Sequence, residues 1–146
     1  MPINNKWVNL VFQQSVRRFP VNIRPLLLVE QRRNFMGMAL LAVANLRAYT
    51  ITGQERFRED ARELVDWLIE NQSDGYHGFC GGHKHPVQGL SKRTYPEDPG
   101  IVGTTYAVKA LLAAGEYIDP SYREVALTAA DFVFEDPDYP SPPAGA

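Results

Sequence analysis

The sequence predicts an all-α fold built from repeated helical hairpins, on three observations. Apolar residues recur at helical spacing in the stretch "QERFREDARELVDWLIENQ" (54–72). An Ala- and Gly-rich apolar segment precedes that amphipathic one. The same pair of segments then returns further along the chain.

Taken in order, the first helix is expected over about Asn5 to Phe19, ended by Pro20, with Arg17 and Arg18 complementing its C-terminal dipole. Asn34 can cap the next, "FMGMALLAVANLRAYT", which is apolar on nearly every side and so belongs among other helices. Gly37, Ala39, Ala42 and Ala44 permit close packing there. In the segment 54–72, Phe57, Ala61, Leu64, Val65 and Leu68 make one apolar stripe, while Arg56, Arg58, Glu59, Arg62 and Glu63 form a solvated face. This is an outer helix. "GTTYAVKALLAAGEYI" (103–118) is the second inner helix. "PSYREVALTAADFVFED" (120–136) is the second outer one, with Asp119 as N-cap and Pro120 at the first helical position.

Aligning the two pairs places Tyr49 on Tyr117, Phe57 on Tyr122, Ala61 on Ala126, and Asp66-Trp67 on Asp131-Phe132. A hairpin recurring about every 65 residues is the mark of a helical repeat architecture. Asp66 and Asp131 read as solvated residues of the outer helices. Leu40, Leu41, Leu64, Leu68, Leu111 and Phe132 are expected in the core. Residues 1–136 are read as one domain, and 137–146, "PDYPSPPAGA", as a flexible tail or truncation point.

Composition sets outer limits. The chain has 146 residues, 45% of them hydrophobic, and can bury a core. Its net charge of −2 implies no nucleic-acid partner. No membrane span is expected, since no long uninterrupted apolar run is present. The start, "MPINNKWVNLVFQQ", lacks a signal-peptide pattern, and a single cysteine fits a reducing, cytoplasmic setting.

The loops are unequal. The turns around Gly53 and Asp119 are tight, whereas the connections 20–33 and 73–100 are long. Alternation along antiparallel helices gathers the long segments on one end of the stack and the tight turns on the other. Long loops in a compact domain carry function disproportionately.

On these residues the chain resembles part of an (α/α) toroid, the architecture of six-hairpin glycosidase-like and terpenoid cyclase/prenyltransferase-like proteins. The likeness covers roughly 34–136 and rests on the hairpin alternation, "TGQERFREDA", "NQSDGYHGF" and the helix start "GIVGTTYAVKALLAA". It implies a carbohydrate-active enzyme such as a glycoside hydrolase, lyase or epimerase. The alternative is a non-catalytic scaffold that binds partners through open edges. The chain also resembles an uncharacterised archaeal-type family through "VNIRPLLLVEQRRN" and "GFCGGHKH", a likeness that implies no mechanism. Two hairpins and one outer helix fall short of the about five to seven that close a ring. Self-association or a longer polypeptide is therefore expected. No Asp-rich cyclase motif occurs.

The candidate chemistry lies in the longest loop. Asp74, Glu97 and Asp98 are the candidate acids and bases, since glycoside hydrolysis needs two carboxyl groups at a set separation. Against this, Asp74-Gly75 reads more readily as a helix-ending turn than as a catalytic acid, and Glu97-Asp98-Pro99-Gly100 reads as a turn into a helix. Tyr76, Phe79 and Tyr95 offer platforms for sugar rings, and His77, His83 and His85 offer hydrogen bonds and proton transfer. Arg32 and Arg33 could hold an anionic substrate. No cofactor is expected. In a minority reading His77, Cys80, His83 and His85 bind zinc, although structural zinc sites usually join two separated ligand pairs rather than use one glycine-rich loop. Cys80 is otherwise expected to pack beneath the loop.

Overall fold

Asn34 starts the central helix. In the computed structural model, which describes residues 5–21, 33–84, 86–88, 93–96 and 98–136, its Oδ1 accepts a 2.9 Å hydrogen bond from Gly37 N. Helix α2, Phe35–Thr52, follows and ends at Gly53, whose backbone turns left-handed at φ 67° and donates N–H to the Tyr49 carbonyl. That conformation suits glycine, and it lets α3, Glu55–Glu70, fold straight back. The second hairpin repeats the plan with α4, Ile101–Tyr117, and α5, Ser121–Glu135. Asp119 lies just before α5, and its Oδ1 accepts from Ser121 N at 2.8 Å, as its expected capping role requires. Helix α1, Lys6–Arg18, is capped by Asn5, and it ends at Phe19 ahead of Pro20. Between α3 and α4, β1 (Val87–Gln88) and β2 (Arg93–Thr94) form a short antiparallel ladder. Among the described residues the fold is all-helical apart from this ladder.

Packing follows the hairpin order. Helix α4 lies against both α2 and α3, and α5 lies against α4. The buried core joins Phe35, Ala39, Ala42 and Leu46 of α2 to Ala61, Val65 and Leu68 of α3 and to Ala107, Ala110, Leu111 and Ala114 of α4. The repeat is visible in burial: Ala39, Ala42 and Leu46 match Ala107, Ala110 and Ala114. The N-termini of α2 and α4 meet the loop 73–82, since Gly81 abuts the Phe35 ring and Gly103 approaches the Gly81 carbonyl. Residues 73–82 therefore lie at the opposite end of the hairpins from Gly53 and Asp119, as loop length implied, while most of the connection 20–33 lies outside the described residues.

Two expectations need correction. Leu40 and Leu41 are 45% and 50% exposed, not core. Helix α2 turns Phe35, Ala39, Ala42 and Leu46 to its neighbours, and its other apolar side meets no other helix among the described residues. Helix α2 is also long and apolar enough to cross a bilayer by length and composition alone, although the sequence offered no such expectation. Here its buried residues are part of the helical core. Asp66 is not a merely solvated residue, because it accepts a 2.6 Å hydrogen bond from the Tyr122 hydroxyl and ties α3 to α5. Burial, then this bond, pushes the Tyr122 hydroxyl pKa up to about 12. Leu68, Leu111 and Phe132 are buried as expected, and Leu64 is partly so.

Tyr122→Phe removes that hydroxyl while keeping the ring. It should cost about 1.5–3 kcal/mol, the range for a hydrogen bond to a charged acceptor. Chemical denaturation of the two proteins checks this; equal midpoints would show that the bond contributes nothing.

Candidate functional site

The loop after α3 is held by its own backbone and by the helices around it. Ser73 N donates to the Cys80 carbonyl at 2.9 Å, which closes residues 73–80 into a compact excursion. Phe79 N donates to Thr128 Oγ1 of α5 at 3.1 Å, and the Phe79 ring sits 6.1 Å from Phe35. Thr104 Oγ1 of α4 accepts from Gly81 N and donates to the Gly81 carbonyl. Gly82 then bridges Pro99, and Gly100 N donates to the Gly81 carbonyl at 3.0 Å. One apolar anchor and several backbone bonds thus bring the two ends of the long connection together, directly over the starts of α2 and α4.

This closure leaves a cavity of about 320 Å³, lined among others by Asn34, Phe35, Met36, His83, Thr94, Asp98 and the first turn of α4. Apolar groups of Phe35, Met36, Pro99, Ile101 and Val102 form much of its wall. No side chain caps α4 at Gly100, so first-turn amides there retain donor capacity. Asp98 is positioned by the turn it ends, with its Oδ2 accepting from Tyr95 N at 2.8 Å.

Of the candidate residues, His83 and Asp98 line this cavity together. Asp74 is exposed elsewhere on the loop and does not line it, so the expected pairing of Asp74 with Asp98 in one pocket does not form. The backbone separates them: Asp74 sits in the 73–80 excursion and Asp98 ends the turn that follows β2. Tyr95 contributes its amide to Asp98 and is not among the residues that line the cavity. Tyr76 packs edge-on against Phe132, with 6.0 Å between ring centroids, and is not a free platform. Arg33 pairs with Glu63 of α3 at 3.4 Å and lies over the Trp67 ring instead of entering the cavity. Arg32, His85 and Glu97 lie outside the described residues, as does the segment 137–146.

His77 has a different partner from the one expected. Its N–H donates to Asp136 Oδ2 at 2.7 Å, its Nδ1 lies 3.2 Å from Asp136 Oδ1, and its Nε2 lies 3.7 Å from Glu135. It fastens the loop to the C-terminus of α5, where a cation also complements the helix dipole. Cys80 is fully buried with its thiol toward the Ser73 carbonyl, and burial pushes its pKa up to about 11. It packs beneath the loop as expected and is poorly suited to form a thiolate. Among the described residues no three His, Cys, Asp or Glu side chains gather as a metal site.

The His77–Asp136 contact predicts a pH dependence. The hydrogen bond and charge of Asp136, then the charge of Glu135, raise the His77 pKa, while the bond from the His77 backbone leads in lowering that of Asp136. A raised histidine stabilises fully below its unfolded pKa of about 6.5 and loses that contribution as pH rises through the folded value. A depressed aspartate contributes above its unfolded pKa of about 3.9 and loses its share in acid. The difference in melting temperature between wild type and His77→Ala should be greatest in mildly acidic buffer and shrink above neutrality. A difference constant from acid to alkaline pH would refute the ionic contribution.

Sequence reasoning missed Asn34, Met36, Thr94 and the first turn of α4 as cavity residues. The signal that could have found them is topological, because both inner helices must begin at the long-loop end. Compared with protein-family models, curated proteins and solved structures, the chain matches none.

Proposed function

We propose that the chain is a carbohydrate-binding segment of an (α/α)-toroid enzyme, with the sugar held in the cavity over the starts of α2 and α4. The observation that carries this reading is the convergence of His83, Thr94, Asp98 and helix-start amides above an apolar wall in about 320 Å³. A sugar ring presents alternating hydroxyl donors and acceptors along its edge and C–H groups on its face. Asp98 accepts, the amides donate, and His83 and Thr94 do either. The wall residues take the face of the ring. Imidazole and carboxylate in one cavity suit proton transfer, as in a lyase or epimerase, better than the two-carboxylate chemistry of a hydrolase.

The test is calorimetric titration with a panel of neutral and acidic sugars. His83→Ala and Asp98→Asn should each weaken binding about tenfold or more, the loss for about 1.4 kcal/mol. Both should leave the melting temperature near that of wild type, and Asp74→Asn should bind normally. Absence of binding to every sugar, or full binding by both cavity variants, overturns the reading. The scaffold alternative draws on a separate observation, the uncovered apolar sides of α2 and α5.

A further inference from the structure

We infer that helix α1 lies on the surface of an anionic lipid bilayer, with the side that carries Trp7, Val8, Val11 and Phe12 in the lipid. Two observations carry this, the direction in which α1 faces and the sign of its charge. Neither depends on the sugar reading.

Helix α1 is amphipathic, but it is turned opposite to α3. Among the described residues it meets the other elements of the chain at β1. Its inward side holds Asn9, which is buried, with Leu10, Gln13 and Val16 half-buried beside it. Its outward side, at i, i+1, i+4 and i+5 spacing, is Trp7, Val8, Val11 and Phe12, and Trp7 and Val11 are each 66% exposed. Phe19, at the end of the helix, is exposed as well. Helix α3 does the reverse: it buries Ala61, Val65 and Leu68 and turns Arg56, Glu59, Arg62 and Glu63 to solvent. An outer helix built to cover an inner one would likewise keep its charges toward water. In α1 the mid-helix polar residues, Asn9 and Gln13, are uncharged and already face the chain.

The charge identifies which surface the outward side fits. The charged residues of the first 29 positions are Lys6, Arg17, Arg18 and Arg24, all basic, and the first acidic one is Glu30. This local excess is hidden in a chain whose net charge is −2. Lys6 and the Arg17–Arg18 pair are exposed, and they stand at the two ends of the apolar patch. Lys6 Nζ lies 5.1 Å from the centroid of the Trp7 ring, so a cation and an exposed indole sit side by side. At a bilayer, such basic side chains reach lipid phosphates while Trp and Phe rings enter the headgroup and acyl boundary. The 13 residues of α1 span about 20 Å, less than a hydrocarbon core of about 30 Å. The helix therefore lies in the surface and does not cross it.

Co-sedimentation of the 146-residue chain with lipid vesicles tests this. Binding should be at least about tenfold tighter to mixed phosphatidylglycerol and phosphatidylcholine vesicles than to phosphatidylcholine alone, and high salt should weaken it. Trp7→Ser/Val11→Ser reduces the apolar patch, and Arg17→Gln/Arg18→Gln removes charge; each should weaken binding at least about tenfold. Leu127→Ser/Val133→Ser, which alters exposed apolar residues of α5, should bind like wild type. All six positions are exposed, and circular dichroism verifies folding. Hydrogen exchange of the wild type is a second readout that needs no variant. Peptides within residues 6–18 should gain protection on anionic vesicles while those of α5 stay unchanged. Failure to bind anionic vesicles, equal binding to neutral ones, or binding indifferent to the α1 variants overturns the proposal. Self-association lost in Trp7→Ser/Val11→Ser, without vesicle binding, also overturns it and assigns the face to a second copy.

Discussion

Phe35→Ala should lower the unfolding free energy by about 3–5 kcal/mol, the range for truncating a buried phenylalanine. The ring is 1% exposed and lies 6.3 Å from Trp67 of α3 and 6.1 Å from Phe79 of the long loop. It also backs against Gly81, where an added Cβ would run into it. One side chain therefore joins the first inner helix, its outer partner and the site loop. Its loss leaves a cavity that none of the three can fill without moving. The denaturation midpoint should fall sharply with little change in slope. Phe35→Leu, which keeps much of the volume, should recover a large part of the loss. A cost below about 1 kcal/mol would show that this junction is not a packed core position.

Gly78→Ala is the second large effect. Gly78 has φ 69°, and a Cβ there would overlap the Thr128 carbonyl oxygen of α5. Left-handed backbone costs an ordinary residue about 1–2 kcal/mol, and forced overpacking about 1–3 more. Both neighbours of Gly78 depend on the same close approach, since His77 reaches Asp136 and Phe79 N reaches Thr128 Oγ1. Gly75 supplies the control: its φ is 84°, but a Cβ there meets nothing within 4 Å. Gly75→Ala should incur the backbone strain alone. Thermal and chemical denaturation of both variants measure the difference, which reports the steric clash. Equal destabilisation would remove the clash from the account.

The helices were legible because their signals are local. Asn5, Asn34, Gly53 and Asp119 mark ends through side-chain bonds or a left-handed turn, each settled within a few residues. The stripe Ala61, Val65, Leu68 names its own buried face for the same reason. Helix α2 offered no such asymmetry: it is apolar all round, so sequence placed Leu40 and Leu41 inside when both are about half exposed. The candidate site was half legible. Its loop was identified by length and by His83 and Asp98, yet Asp74, Tyr76 and Arg33 take other roles. Their partners, including Phe132 and Glu63, are distant in sequence, and proximity in the loop says nothing about direction.

The helical hairpins, their order, and the contrast of long loops with tight turns can be read along the chain, because periodicity and capping act over single helical turns. Which loop residues meet follows from the packing of the helices. His77 turned to Asp136 of α5, while His83 and Asp98 came to share a cavity at the helix starts. The same packing fills the α2–α3 groove with α4 while the α4–α5 groove stays open. The physical reason is common to both outcomes. Burial and hydrogen bonding across the chain depend on how whole helices pack, and two similar helical segments acquire different neighbours from their place in the stack.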